Sequence, residues 1–301
     1  MRHLLEIDDL TGDEISEVLN LAEDRTPPAV LTGRGMALVF EKPSARTRNS
    51  MEMAVVQLGG HPVSIRAEEV GLDTRETVED VARTLSCYHA AIGARVFEHR
   101  KVERLAGAAG VPVVNLLSDD AHPCQALADL LTMRGHFTDL AGRTVAYVGD
   151  FNNVARSLAL GAARTGMHVR IATPAGYGPS PGDVDRIRAA GADPAVTTHP
   201  DEAVAGADAV YTDVWASMGQ EGEAEARKRA FEGFTIDDRL MAVAGAKALF
   251  LHCLPAHRGE EAAGSVVDGP QSVVWEQAEN RMHAQRGLLL WLFRELVGDI
   301  R

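Results

Sequence analysis

The sequence predicts an α/β protein built from two doubly wound parallel-sheet domains. Three observations carry this reading. Short apolar runs alternate with amphipathic helical stretches along almost the whole chain. The alternation is interrupted once, around residues 135–143. A length of 301 residues is enough for two cores of ordinary size.

Taken in order, residues 1–33 carry two short helical patterns. The one from Thr11 to Glu23 opens with the cap signal Thr11-Gly12-Asp13-Glu14. The apolar run Met36 to Phe40 reads as a buried strand. After a polar turn comes Met51 to Gly60, an amphipathic helix closed by glycine. A strand near His61–Ile65, a polar loop from Arg66 to Arg75 and a helix at about Glu76–Tyr88 follow. Strand Ala90–Val96, helix Arg100–Gly107, strand Val111–Leu117 and a helix beginning near Ala121 complete the first series. The second series has strands at Thr144–Val148, Val169–Thr173, Ala195–Thr198, Ala209–Thr212 and Ala248–Leu251. A long helix from Glu276 to Val297, with Leu288, Leu289, Trp291, Leu292 and Leu296 on its apolar side, is expected to pack back on the first domain. The expected domains are 1–137, completed by 277–301, and 142–276.

Composition narrows the function. A hydrophobic content of 46% with 24% charged residues describes a soluble globular chain. No apolar run reaches membrane-spanning length and the start carries no signal-peptide core, so a cytoplasmic protein without a membrane partner is expected. Three cysteines far apart, Cys87, Cys124 and Cys253, argue against a disulfide framework or a zinc cluster. A net charge of −13 disfavours nucleic acid, and it requires any anionic substrate to be held by a local basic pocket.

The turn Ser44-Ala45-Arg46-Thr47-Arg48 would supply that pocket. It lies between a strand and a helix, where unpaired N–H groups and the positive end of the dipole meet two hydroxyls and two guanidinium groups. Read alone, Ser44 is equally a plain helix cap beside solvated arginines. Arg95 closes a buried strand and points either to solvent or into the strand-end crevice. His122-Pro123-Cys124-Gln125 opens a helix beyond another strand; His122 and Gln125, three residues apart, share a face. Gly149-Asp150-Phe151-Asn152-Asn153 sits where a dinucleotide-binding domain would carry G-x-G-x-x-G, and that fingerprint is absent. One of the two asparagines is expected to cap the following helix, and either amide would suit a carboxylate. Asp213, at a strand end, suits an ammonium group; an ordinary Asp turn is the alternative. Cys253 reads as a buried small hydrophobe or as a strand-mouth thiol. His252 is badly placed to activate it, because neighbours in a strand face opposite ways. Glu279-Asn280-Arg281, at the start of the last helix, would send Arg281 back towards the first anion site. Together these residues suggest a cleft between domains, basic on one wall and mixed polar on the other.

The turn Ser44 to Arg48, His122-Pro123-Cys124-Gln125 and the cleft layout resemble the aspartate/ornithine carbamoyltransferase family. Asp213-Val214-Trp215-Ala216-Ser217-Met218-Gly219 and His252-Cys253-Leu254-Pro255 resemble its ornithine branch, in the family's order and spacing. The resemblance implies transfer of the carbamoyl group of carbamoyl phosphate to L-ornithine, giving L-citrulline and phosphate, without metal or organic cofactor. It implies that Ser44, Ala45, Arg46 and Thr47 hold the phosphate, completed by Arg281, and that Arg95, His122 and Thr47 stabilise the oxyanion. Gln125 and the carbonyls around Cys253 and Leu254 would orient the carbamoyl NH2. Asn153, Ser217 and Met218 would bind the carboxylate end of ornithine and Asp213 its α-ammonium. The δ-amine would attack directly, losing its proton near Cys253. Carbamoyl phosphate would bind first, then the domains close on ornithine. The family assembles as trimers, so a homotrimer or a multiple of it is expected. Glu69 stands where many bacterial relatives have glutamine in a loop that reaches the neighbouring subunit, and it is left outside the expected site.

Other readings stay open at this level. The acceptor would be aspartate, putrescine or an N-acylated ornithine in a related transcarbamylase. Asp213 argues for a free α-ammonium and the Ser217-Met218-Gly219 loop against aspartate. A catalytically silent carbamoyl-phosphate-binding subunit would keep the fold without turnover, and a nicotinamide dehydrogenase would need the missing glycine fingerprint.

Overall fold

Nine strands, all paired in parallel, form two separate sheets in the computed structural model, which describes residues 1–216 and 221–294. The chain divides into two units, Met1–Leu131 with the residues from Glu279 onward, and Thr132–Ala278.

In the first unit, α1 (Gly12–Glu23) starts with the expected capping box. Thr11 accepts from the Glu14 N–H at 3.2 Å and Glu14 Oε2 accepts from the Thr11 N–H at 3.0 Å. Then follow β1 (Gly35–Phe40), α2 (Ala45–Gln57), β2 (His61–Arg66), α3 (Ala67–Val70) and α4 (Val78–Tyr88). After them come β3 (Ala91–Arg95), α5 (His99–Ala108), β4 (Val113–Leu117) and α6 (Pro123–Phe137). The order β2-β1-β3-β4 means that the chain leaves β1 in one direction and returns on its other side at β3. Side chains at the carboxyl ends of β1 and β3 therefore share a topological switch point, where open α/β sheets bind ligands. Phe40 is in register with Arg95, and against β4 the register shifts between Ala94 and Arg95, with Leu116 of β4 as the extra residue.

In the second unit the elements are β5 (Thr144–Val148), α7 (Asn153–Arg164), β6 (His168–Ala172), α8 (Pro181–Ala190), β7 (Ala195–Thr197), α9 (Pro200–Val204) and β8 (Ala209–Thr212). They continue as α10 (Ala224–Ala230), α11 (Asp238–Ala244), β9 (Leu249–His252), α12 (Gly264–Val267) and α13 (Val274–Leu292). The order β7-β6-β5-β8-β9 puts the switch point between β5 and β8. A core of Val148, Val210, Phe231, Phe250 and Val267, among others, packs one face of this sheet.

Three expectations need correction. The polar stretch Arg66–Arg75 is not all loop: Ala67–Val70 form a helical turn, closed by Gly71 at φ 56°. The helix expected from Met51 begins at Ala45, capped by Ser44, whose Oγ accepts from the Thr47 N–H at 3.3 Å. The last helix starts at Val274, so Arg281 lies two turns inside it. From Glu279 onward α13 belongs to the first unit, where Gly287 lies against α1 and Arg286 donates to the Ala22 carbonyl at 2.8 Å. Leu288, Leu289 and Trp291 are buried and Leu292 half-buried, while Leu296 lies outside the described residues. No helix among the described residues is long and apolar enough to cross a membrane.

Candidate active site

In the first unit the mouth of the sheet gathers five buried polar side chains: Thr47, Arg95, His122, Gln125 and Arg281. The two arginines meet at Thr47 Oγ1. It accepts from Arg281 Nη2 at 2.9 Å and from Arg95 Nη1 at 3.4 Å. Arg281 Nη1 donates to Gln125 Oε1 at 2.5 Å and lies 3.4 Å from His122 Nε2. A guanidinium only donates, so Nε2 is an acceptor and the imidazole is neutral. Burial, then the charges of Arg281 and Arg95, hold His122 well below its usual value of 6.5. Two buried cations and a helix N-terminus around one hydroxyl form a trap for a small dianion, and a neutral imidazole beside them can polarise a carbonyl without adding a third charge.

Of the expected phosphate-binding turn, Thr47 is buried, Ser44 half-buried, and Ala45 and Arg46 exposed. Arg48 is exposed and paired with Glu52 at 2.7 Å, which leaves Thr47 as the turn's inward-facing side chain. Gln125 owes its orientation to Asp129, which sequence reasoning missed: Gln125 Nε2 donates to the fully buried Asp129 Oδ1 at 2.8 Å. The i,i+4 spacing was the available signal. Cys124, from the same motif, is buried, and burial pushes its thiol up to about 12, so it behaves as a core residue.

In the second unit the β5/β8 switch point brings together Asp213, Cys253 and Asn152. Cys253 Sγ donates to Asp213 Oδ1 at 3.0 Å, and Asn152 Nδ2 donates to Asp213 Oδ2 at 2.8 Å. Asn152 also caps α7, its Oδ1 accepting from the N–H groups of Val154 and Ala155. It thus serves both as cap and as the clamp on Asp213, a second task that the sequence does not reveal. Asn153, the expected ligand, is the first residue of α7, half-buried. Asp150 pairs with Arg227 at 2.8 Å, and the same Nη1 donates to the Trp215 carbonyl at 2.8 Å. Burial raises the Asp150 carboxyl, Arg227 opposes this, and Asp213 adds repulsion. Ser217 and Met218 lie outside the described residues.

Asp213, His252 and Cys253 bring donor atoms within 4.8 Å of one another. Both ring nitrogens of His252 are taken up, Nδ1 by the Leu254 N–H at 2.9 Å and Nε2 by Glu261 Oε1 at 3.1 Å, which makes this a poor set for a metal. The arrangement is better suited to an ammonium group on Asp213.

Comparisons with known proteins cover almost the whole chain. The model of the aspartate/ornithine carbamoyltransferase carbamoyl-P binding domain matches residues 2–135, and that of the Asp/Orn binding domain residues 141–292. The ornithine carbamoyltransferase of Acidothermus cellulolyticus is 52% identical, over 97% of this chain and 96% of its own length. Among solved structures, ornithine carbamoyltransferase from Thermus thermophilus is similar with a TM-score of 0.89 and 47% identity, over 97% of this chain and 98% of that one. The Pyrococcus furiosus enzyme matches with a TM-score of 0.92 and 45% identity, over 96% of both chains.

Proposed function

The chain belongs to the aspartate/ornithine carbamoyltransferase family, and from that premise we propose that it transfers the carbamoyl group of carbamoyl phosphate to the δ-amine of L-ornithine. The products are L-citrulline and phosphate. The observation that carries the reading is the convergence of Arg95 and Arg281 on Thr47 Oγ1, beside a neutral His122 and an amide-pinned Gln125. Carbamoyl phosphate is a dianion with a reactive carbonyl and an NH2 group, and this cluster offers cations, a polariser and an amide acceptor.

In this proposal Ser44, Ala45, Arg46 and Thr47 with the α2 N-terminus bind the phosphate, and Arg281 completes the pocket. Arg95, His122 and Thr47 stabilise the oxyanion that forms when the amine lone pair attacks the carbonyl carbon. The C–O bond to phosphate then breaks and phosphate leaves. Gln125 and the carbonyls of Cys253 and Leu254 orient the carbamoyl NH2. Asn153, Ser217 and Met218 take the carboxylate end of ornithine and Asp213 its α-ammonium, which leaves the δ-nitrogen to react. That nitrogen must shed a proton before attack; the thiol and carboxylate of Cys253 and Asp213, 3.0 Å apart, are the groups that favour it. A cytoplasmic homotrimer working in arginine biosynthesis belongs to the same proposal.

The test is citrulline formation by the purified protein with carbamoyl phosphate and L-ornithine, run beside L-aspartate, putrescine and N-acetyl-L-ornithine. Turnover with ornithine alone is expected. Turnover only with another amine would overturn the assignments of Asp213, Asn153, Ser217 and Met218, and no turnover with any acceptor would overturn the enzymatic reading.

A further inference from the structure

His252 is the one polar residue of His252-Cys253-Leu254-Pro255 to which the proposed chemistry gives no task. It is buried, and so is Glu261, nine residues on. The Leu254 N–H donates to His252 Nδ1 at 2.9 Å. An Nδ1 that accepts carries no proton, so the proton sits on Nε2, which faces Glu261 Oε1 at 3.1 Å. The same Oε1 accepts from the His257 N–H at 2.6 Å. One imidazole and one carboxylate oxygen therefore tie together both ends of segment 252–257. The strand end beneath is fixed as well, with the His252 N–H donating to Gln277 Oε1 at 2.9 Å.

The segment needs such support. Leu254 has φ 60°, a left-handed conformation that leucine adopts only when its surroundings hold it there. Its amide is held by His252, and the thiol next to it by Asp213 at 3.0 Å. Neither nitrogen of His252 is available to activate Cys253, in agreement with the opposite facing expected of strand neighbours.

We propose that the His252–Glu261 pair is a positioning device that sets the backbone of Cys253 and Leu254. It rests on the reading above, in which the carbonyls of these two residues orient the carbamoyl NH2. His252 acts through the Leu254 amide and touches neither substrate.

Two substitutions separate this role from simple core packing. Asparagine places an acceptor near the position of Nδ1, whereas glutamine reaches towards Nε2 and Glu261 without one. In a Cys87→Ser background, which removes the exposed thiol, His252→Gln is expected to speed modification of Cys253 by a disulfide reagent by roughly tenfold, the weight of one buried hydrogen bond. It should lower kcat by a similar factor and raise KM for carbamoyl phosphate, while His252→Asn, which keeps the Leu254 bond and gives up the one to Glu261, falls between His252→Gln and the parent in all three. Equal effects of the two variants, or the reverse order, would overturn the proposal. Hydrogen exchange of the parent protein gives an independent reading should His252→Gln not fold: slow exchange of the Leu254 amide is expected, and exchange at the rate of an open loop would overturn it. Thiol modification and amide exchange need no turnover, so a parent protein that makes no citrulline would sink the functional reading and leave the positioning role to be judged on these two measurements.

Discussion

Replacing Arg281 by methionine removes a guanidinium that reaches Thr47 Oγ1 at 2.9 Å, Gln125 Oε1 at 2.5 Å and His122 Nε2 at 3.4 Å. Two opposing effects act on stability. Losing charge-assisted hydrogen bonds to Thr47 and Gln125 costs about 1.5–3 kcal/mol each. Removing one of two buried cations relieves its repulsion with Arg95, and methionine refills most of the stem volume. The relief offsets part of this, so the net loss should be about 2–4 kcal/mol, inside the 5–15 kcal/mol of an ordinary fold. Under the proposed reading catalysis has no such offset, because the guanidinium holds the phosphate, which gains charge as the C–O bond breaks. One lost donor of that kind costs about 2.7–4 kcal/mol, or roughly 100- to 1000-fold in kcat/KM. Arg95 stays 3.4 Å from the same hydroxyl and keeps one cation in place, which argues for the lower end, about 100-fold. The assay is initial-rate kinetics with carbamoyl phosphate varied at saturating ornithine, beside a thermal melt of the same sample. A folded variant whose kcat/KM for carbamoyl phosphate stays within about threefold of the parent would refute the reasoning.

Asp213→Asn is expected to lower kcat/KM for ornithine by roughly 10- to 100-fold while KM for carbamoyl phosphate stays within about threefold, because a hydrogen bond to a charged partner contributes about 1.5–3 kcal/mol; steady-state kinetics with each substrate varied checks the split. His122 is depressed below 6.5, so below that pH the unfolded chain binds more protons than the folded one and stability falls as pH drops. Thermal melts between about pH 7.5 and 5 should show this acid-side loss, to which the depressed His3, His89 and His283 add, and His122→Gln should make it shallower. Gly287→Ala would place a Cβ 2.5 Å from the Val18 carbonyl oxygen and 2.7 Å from the Ala22 nitrogen, so α13 could no longer seat on α1 without shifting. The expected loss is about 1–3 kcal/mol, read as a Tm lowered by several degrees.

What the sequence made legible was local. Ser44 to Thr47 announced a capped strand-to-helix turn, and Asp213 and Cys253 announced themselves as strand-end residues, because the apolar runs before them set where each strand stops. The inward turn of Arg95 was not legible, since an arginine at a strand end has two directions and its inner partner, Thr47, stands 48 positions away. Asn152 was readable as a cap but not as the clamp on Asp213, which stands 61 positions away. Glu261 sent no signal at all; its burial beside His252 depends on how segment 252–257 folds back. The helical turn Ala67–Val70 hid in a polar stretch because its closing bonds come from Glu69 and the left-handed Gly71, whose effect shows only once the backbone is laid down.

The central claim is that the carbamoyl group passes to the δ-nitrogen of ornithine, with Asp213 occupied by the α-ammonium. Carbonyl-13C carbamoyl phosphate incubated with L-ornithine and the protein tests it by NMR. The account predicts label in the δ-ureido carbon of citrulline, with one phosphate released per citrulline formed. Label on the α-nitrogen, or phosphate release without any ureido product, would contradict it.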